Sequence, residues 1–408
     1  MSSDRFSFLE FGDEDAAPAK EAAPFGGSEP AQREIGAELL PDGTTLAQVK
    51  MPDPRGFQKY LDEDDGSTIT LSSLAGQGMQ VPNRLRVVEV LGERGTNVDQ
   101  FQYPTGLAVD PDGVLFVADS YSHCLKRITP DGGVSVIGSR GSGRAQFLSP
   151  QGVATDSDGA FYVVEQGNCR VQKFTREGIL TLVFGRPGRE NGEFLGPTAI
   201  TVAPGSGDIY VADTGGSRVQ RFSADGRFLN SLGAPSQSRI NQSSRQAQGP
   251  GLSSPQALAA APGGALYVAE TFAQRLVRFD PLGRLDQQIG GARLRRSQSS
   301  SPSITLNQPR ALAIDLAGLL YIADAGEADL LTGETRGRLQ CVSLMDDLPV
   351  IATIEKIGRS LGSLLRPGGL ALGPPSERPM PGRAIWSDIY VADTLNHRIL
   401  RFAWSGAA

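Results

Sequence analysis

The chain has 408 residues, with 45 Asp and Glu against 39 Lys and Arg, so its formal net charge at neutral pH is −6. No stretch approaches the ~20 consecutive apolar residues of a membrane span, and we therefore expect no membrane insertion. Three cysteines without metal-like spacing argue against a disulfide framework, and residues 1–10 lack the apolar run of a secretory signal, so a cytoplasmic protein is expected.

Residues 1–80 are the first predicted segment, a mostly disordered acidic tail. They hold 15 of the acidic and 6 of the basic residues, a net charge of −9, which leaves +3 for residues 81–408. Their Ala, Pro, Glu and Gly content provides too little apolar area to offset the entropy of ordering. An apolar cluster interrupts this composition and predicts a docking motif for another protein, with a chance cluster or a strand packed on the rest of the chain as the alternatives. Its members are Phe6, Phe8, Leu9 and Phe11.

A sequence motif that occurs six times makes up most of the rest of the chain. Each copy reads Pro-x-Gly-Leu-Ala-Val or a close variant, then a turn, a short apolar run that ends in an acid, a polar turn, and a run of alternating polar and apolar residues. The copies begin at Pro104, Pro150, Pro197, Pro255, Pro309 and Pro367. Spacings of 46 to 58 residues between such copies are typical of a propeller or a solenoid.

The copy at Pro197 illustrates the predicted unit. Residues 198–202 are apolar and β-branched, residues 208–213 form a second such run, and residues 218–222 alternate as a half-buried strand does. Asp225-Gly226, a strong hairpin signal, precedes a fourth run at residues 228–233. Each copy therefore predicts a four-stranded antiparallel sheet.

The last copy predicts how the ring closes. It reaches Phe402 with six residues remaining and so lacks a fourth strand, whereas the segment Leu85 to Leu91, before the first copy, is similar to the fourth strands of other copies. Pairing between these segments would leave no open edge between the chain ends. The sequence therefore predicts an all-β, monomeric six-bladed propeller over residues 81–408, in which an N-terminal strand completes the last blade.

The segment from Tyr390 to Phe402 reads Tyr-Val-Ala-Asp-Thr-x-Asn-His-Arg-Ile-x-Arg-Phe and resembles the NHL repeat. The resemblance covers about four fifths of the chain and is weaker in the copy at Pro255. It implies a six-bladed propeller that usually binds protein or RNA and only sometimes catalyses a reaction.

An acid ends the second strand of every copy, and most copies place Arg at the start of the third strand. The acids are Asp119, Glu165, Asp213, Glu270, Asp324 and Asp393, and the arginines are Arg170, Arg218, Arg275, Arg338 and Arg398. A ring of six acids could hold a metal, but a feature that repeats in every copy is more typical of structural ion pairs. The first copy has Cys124 in place of Arg, and Lys126 or Arg127 is expected to substitute.

The two histidines, His123 and His397, occupy the same position in two copies. We expect a structural role for them, with a functional pair as the alternative. Propeller lyases that use several histidines as zinc ligands would need more histidines than this chain has. Lactone-hydrolysing propellers use an acid and Asn at a metal, and Glu165 with Asn168 would be the candidates, but no further ligands match. No metal and no other cofactor are therefore expected.

Three long insertions, residues 234–254, 291–308 and 325–337, are predicted to open on one face of the ring. Insertions that gather on one face of a repeat ring often mark its binding face. Their arginines are the predicted partner-binding residues: Arg239, Arg245, Arg293, Arg295, Arg296 and Arg336. The sequence thus favours a non-catalytic scaffold for a protein partner. An RNA-binding propeller and a metal-assisted lyase or hydrolase are the alternatives.

Overall fold

The computed structural model describes residues 36–39, 45–50, 84–233, 251–291, 304, 306–316, 318–326, 337–344, 350–355, 364–375 and 387–405. Six four-stranded antiparallel units follow one another around a ring, and the first strand of each unit contacts the first strands of its two neighbours. This is the all-β six-bladed propeller that the sequence predicts. In the part of the chain described here, no helix has the length and apolar character needed to cross a bilayer.

The strands of each blade follow one another outward from the axis of the ring. Blade 1 comprises Pro104–Val109, Leu115–Asp119, Cys124–Ile128 and Gly133–Ile137, and blade 2 comprises Pro150–Thr155, Phe161–Glu165, Arg170–Phe174 and Leu180–Phe184. Blade 3 comprises Pro197–Val202, Ile209–Asp213, Arg218–Phe222 and Phe228–Leu232, and blade 4 comprises Pro255–Ala260, Leu266–Glu270, Arg275–Phe279 and Leu285–Gly290. Blade 5 comprises Pro309–Ile314, Leu319–Asp324, Arg338–Ser343 and Val350–Glu355, and blade 6 comprises Pro367–Pro375, Ser387–Asp393, Arg398–Ser405 and Arg84–Leu91.

The hydrophobic core lies between adjacent blades. Every residue of the second strand is buried in blades 1 to 5, because both faces of each sheet pack on a neighbour. Phe116 of blade 1 stacks on Phe161 of blade 2 with 4.5 Å between ring centroids, and Phe161 stacks in turn on Phe174 at 4.9 Å. A single sheet with two apolar faces would be unstable in water, so radial stacking follows from the composition of the second strands.

The third residue of each first strand is Gly or Ala because the first strands meet closely around the axis. A Cβ atom on Gly106 would lie 2.6 Å from the carbonyl oxygen of Gln151 in the next blade. Contacts this short would force the backbone apart. The small residues at this position are Gly106, Gly152, Ala199, Ala257, Ala311 and Gly369.

Strand pairing closes the ring as the sequence predicts. Arg84–Leu91 runs antiparallel to Arg398–Ser405, with Leu91 opposite Ile399 and Leu85 opposite Trp404. Leu85 is buried in the same core as Phe402 and Tyr321. The N-terminal strand therefore supplies both the missing hydrogen-bond ladder and part of the core of blade 6.

Two further strands, Gly36–Leu39 and Thr45–Lys50, pair with each other. Thr45–Lys50 also pairs antiparallel with Gly133–Ile137, which extends blade 1 to six strands. Both strands belong to residues 1–80, for which the sequence predicts a mostly disordered tail. The rest of residues 1–80, including the predicted docking motif of Phe6, Phe8, Leu9 and Phe11, lies outside the described residues.

Candidate functional site on the connector face

The acid that ends each second strand binds the connector that enters its blade. The backbone N–H of Gln102 donates to Asp119 at 2.8 Å, that of Leu148 to Glu165 at 3.0 Å, and that of Leu195 to Asp213 at 2.7 Å. Glu270, Asp324 and Asp393 accept equivalent bonds from Ser253, Asn307 with Gln308, and Leu365. The second-to-third turns and the blade connectors therefore share one face of the ring, which we call the connector face.

The arginine at the start of the third strand pairs with this acid in five blades. The N–O distances are 2.6 Å for Arg170–Glu165, 3.0 Å for Arg218–Asp213, 2.5 Å for Arg275–Glu270, 2.9 Å for Arg338–Asp324 and 2.9 Å for Arg398–Asp393. All six acids are fully buried. The structural role predicted for the acids stays a prediction, and these ion pairs are the contacts on which it would depend.

Arg218 shows how such a pair can fix the blade to its connector. Its Nη2 donates to the carbonyl oxygens of Glu190 and Glu193, while its Nε donates to Asp213. Burial raises the pKa of Asp213 even though Leu195 and Arg218 donate hydrogen bonds to it. The cost of burying the charge therefore offsets part of the gain from pairing.

Blade 1 replaces this arrangement with a lysine. Lys126 lies 3.6 Å from Asp119, and its ammonium group donates to the carbonyl oxygens of Asn97 and Gln100. Burial lowers the pKa of Lys126 and raises that of Asp119. Of the two substitutes that the sequence suggested for the missing arginine, Lys126 is the one that contacts the acid.

A hydroxyl group after the acid bonds to the next blade, a feature that the sequence analysis missed. Thr214 donates to the carbonyl oxygen of Pro255 at 2.6 Å, and Thr271 to that of Pro309 at 2.6 Å. Ser120 and Thr394 make the corresponding bonds to Pro150 and Pro104. Ser or Thr directly after the acid in four copies was the available sequence signal.

Both histidines also bond to the next blade. The backbone N–H of Ser149 donates to Nδ1 of His123 at 3.0 Å, and that of Tyr103 donates to Nδ1 of His397 at 3.1 Å. Each histidine has a positive φ, 53° for His123 and 55° for His397, which His tolerates better than most residues. The two equivalent contacts favour the structural interpretation of the histidines over a functional pair.

The free energy of unfolding is expected to fall as the pH drops below about 6.5, the ordinary pKa of His. Burial lowers the pKa of both histidines, so the unfolded chain takes up protons at a higher pH than the folded ring. Protonation of Nδ1 would also remove each hydrogen-bond acceptor. Urea unfolding between pH 8 and 5 measures this slope.

The double variant His123→Asn, His397→Asn provides the control for this prediction. Its free energy of unfolding at pH 8 should be lower by about 1 kcal/mol for each broken hydrogen bond. Below pH 6.5, its free energy of unfolding should fall less steeply with pH than that of the wild type. An unchanged slope would mean that other groups cause the pH dependence.

Exposed aromatic side chains lie on the connector face. Tyr121 and Phe272 occupy the same position, two residues after the acid, and are 63% and 73% exposed. Leu395 occupies this position in blade 6 and is also exposed. Tyr121 stacks on Tyr103 with 4.7 Å between ring centroids and 13° between the planes, and Nη1 of Arg366 donates to the Tyr103 hydroxyl at 2.9 Å.

The arginines predicted to bind a partner all lie outside the described residues: Arg239, Arg245, Arg293, Arg295, Arg296 and Arg336. Residues 234–250, 292–303 and 327–336, which belong to the three insertions, are outside as well, so the prediction for them stands as a sequence prediction.

The pair considered for a lactonase-like metal, Glu165 and Asn168, is occupied by other contacts. Nδ2 of Asn168 donates to Glu165 at 2.5 Å and to the carbonyl oxygen of Gly141 at 2.9 Å, and Glu165 also accepts from Arg170. Among the residues that the structure describes, no group of three or more His, Cys, Asp and Glu side chains is arranged to hold a metal ion.

Three segments of the chain match the family model of the NHL repeat. They are residues 101–128, 147–174 and 194–222, which cover the first three strands of blades 1, 2 and 3. No curated protein matches the sequence.

Several solved structures of low sequence identity are similar to this chain. A protein of unknown function from Bacteroides thetaiotaomicron VPI-5482 is 12% identical, with 93% of this chain and 100% of that chain covered at a TM-score of 0.54. A gluconolactonase from Xanthomonas campestris is 16% identical, with 83% and 94% covered at 0.52, and a virginiamycin B lyase from Staphylococcus aureus is 14% identical, with 78% and 99% covered at 0.49. The likenesses at TM-scores of 0.54 and 0.52 show the fold alone.

Proposed function

We propose that this six-bladed propeller with NHL repeats is a non-catalytic scaffold that binds a protein partner on its connector face. The observation that carries the proposal is the stacked pair of Tyr103 and Tyr121, held by Arg366 at the junction of blades 6 and 1. Tyrosine and arginine are enriched at the energetic centres of protein interfaces, because each combines a large contact area with directed hydrogen bonds.

The Tyr121 ring is pre-organised for binding. Its partner Tyr103 is fixed at the backbone by the bond to His397 and at the hydroxyl by Arg366. Binding to a ring held in this way costs little side-chain entropy, so more of the contact energy remains as affinity. Because 63% of Tyr121 is exposed, a partner could bury most of the side chain.

Further contact points are distributed around the same face. Phe272 lies in blade 4, Leu395 in blade 6, and the exposed Leu195 in the connector that enters blade 3. The opposite face carries exposed Leu282 and Leu316 at single turns, and isolated apolar residues of this kind are ordinary on protein surfaces. Aromatic side chains at equivalent turns therefore favour the connector face for the partner.

The chemistry of the repeated polar residues also favours binding over catalysis. The six acids accept backbone and side-chain hydrogen bonds, and the two histidines accept backbone N–H groups. Side chains that catalyse must exchange protons or bind a substrate, and these side chains join blades instead. The arginines of the insertions are part of the proposed partner surface, and the apolar cluster of the tail is a second proposed docking point.

Replacing Tyr121 with Glu should weaken partner capture about 30-fold, because the loss of a hot-spot side chain costs about 2 kcal/mol or more. Phe272→Glu should weaken it by a smaller factor. Tagged full-length protein is incubated with lysate of the native cell, and the recovery of each bound protein is quantified by mass spectrometry. The matched control is Leu282→Glu, which changes an equally exposed residue (74%) on the opposite face.

The variants also separate the alternatives. Recovery that falls with Tyr121→Glu and stays constant with Leu282→Glu supports the proposal, provided that nuclease treatment leaves the wild-type result unchanged. Recovery abolished by nuclease would instead favour an RNA-binding propeller. Equal recovery with all variants would remove the connector face as the partner surface.

A further inference from the structure

Arg310 departs from the other blades at a position next to the axis of the ring. It is the second residue of the first strand of blade 5 and is only partly exposed. The other blades have smaller or uncharged residues there: Thr105, Gln151, Thr198, Gln256 and Gly368. Because the first strands surround the axis, this substitution places a guanidinium group near the end of the ring axis on the connector face.

A second arginine, Arg366, lies close by. It directly precedes the first strand of blade 6, which contacts the first strand of blade 5 that carries Arg310. Burial, followed by repulsion from the charge of Arg366, lowers the pKa of Arg310 to about 10. Neighbouring cations destabilise each other unless an anion compensates them.

Neither arginine has a carboxylate partner among the described residues. Nη1 of Arg310 donates to Oε1 of Gln256 at 3.4 Å, its buried Nε has no hydrogen-bond acceptor, and Arg366 donates to the neutral hydroxyl of Tyr103. Asp324 attracts Arg310 weakly. Arg338 and the backbone N–H groups of the incoming connector already occupy its oxygens.

The contrast with the five repeated arginines is informative. Each of those pairs with a buried acid of its own blade, as Arg218 does with Asp213. Arg310 has no such counterion among the described residues, although its Nε is buried, and a desolvated cation without a counterion lowers stability. A residue that costs stability and interrupts the repeat pattern is typical of a functional site.

We infer that Arg310 and Arg366 form a binding site for a small oxyanion, the carboxylate or phosphate group of a low-molecular-weight ligand, at the connector-face end of the ring axis. The planar guanidinium group matches the paired oxygens of both anions. The Tyr103 hydroxyl accepts a bond from Arg366 and retains its own proton, which it can donate to the anion. The inference does not depend on the protein partner proposed above.

The test is thermal unfolding of the full-length protein in a chloride buffer, with inorganic phosphate or succinate added at constant ionic strength. At least one anion should raise the melting temperature of the wild type by a few degrees, because a ligand that binds only the folded state stabilises it. Arg310→Gln and Arg366→Gln should each lose this shift. Arg278→Gln removes an arginine paired with Asp286 at 2.5 Å and should keep it.

A second readout uses Arg310→Met without added anion. This variant removes the uncompensated charge and keeps the long apolar stem, so it should melt at or above the wild-type temperature. The anion that gives the larger shift identifies the source as a phosphate or a carboxylate ligand. No shift with either anion, or the same shift in the wild type and both glutamine variants, would overturn the inference.

Discussion

A chain that lacks residues 1–92 is expected to lose the closed ring and to aggregate. The deletion removes Arg84–Leu91, which pairs along Arg398–Ser405 and buries Leu85 and Leu91. Each fully buried leucine contributes about 2 kcal/mol, and the lost strand also exposes the edge of Arg398–Ser405, which can then pair with other chains. Size-exclusion chromatography and circular dichroism melts measure the effect.

Deletion of residues 1–80 is the matched control. It removes Gly36–Leu39 and Thr45–Lys50, which leaves blade 1 with four strands like the other blades. This shorter deletion should therefore remain monomeric and melt cooperatively. Equal stability of the two deletions would show that the N-terminal strand is not needed to close the ring.

The substitution Asp213→Ala is expected to lower the free energy of unfolding by about 3–5 kcal/mol. It leaves Arg218 without its counterion in a buried site and the N–H of Leu195 without its acceptor. Such a loss is a large part of the stability of an ordinary domain. Urea unfolding monitored by fluorescence gives the value.

The substitution Asp119→Ala should cost less, about 1–3 kcal/mol. Lys126 would keep its bonds to the carbonyl oxygens of Asn97 and Gln100 after the acid is removed. Equal losses at Asp119 and Asp213 would indicate that arginine pairing is not the main contribution of the repeated acids.

The repeat pattern carried most of the information about the fold. The hairpin turns could be predicted because a tight hairpin requires a residue in the left-handed conformation, which the Gly of an Asp-Gly pair adopts easily. Gly113 and Gly226 have φ values of 83° and 79°. The segment from Leu85 to Leu91 was recognisable because it has the sequence pattern of the fourth strands. The last copy has no fourth strand after Phe402, and this showed that the segment belongs to the last blade. Both inferences compare one copy with the others.

Structural features outside the repeat could not be predicted by comparing the copies. Thr45–Lys50 pairs with a strand of blade 1 that lies more than 80 residues later in the sequence. Its sequence resembles none of the strands in the six copies. Arg310 stands out when the copies are aligned, but it comes near Arg366 and Tyr103 only because the first strands of blades 5, 6 and 1 meet around the axis. Which strand Thr45–Lys50 pairs with, and which side chains from different blades lie close together, depend on the tertiary structure.

Hydrogen–deuterium exchange of the protein in complex with its captured partner, compared with the free protein, tests the proposed binding face most directly. The proposal predicts slower exchange in peptides that contain the turns at Tyr121 and Leu395 and the connector at Tyr103, and unchanged exchange in the turns at Leu282 and Leu316. Protection confined to the turns at Leu282 and Leu316 would contradict binding through the connector face.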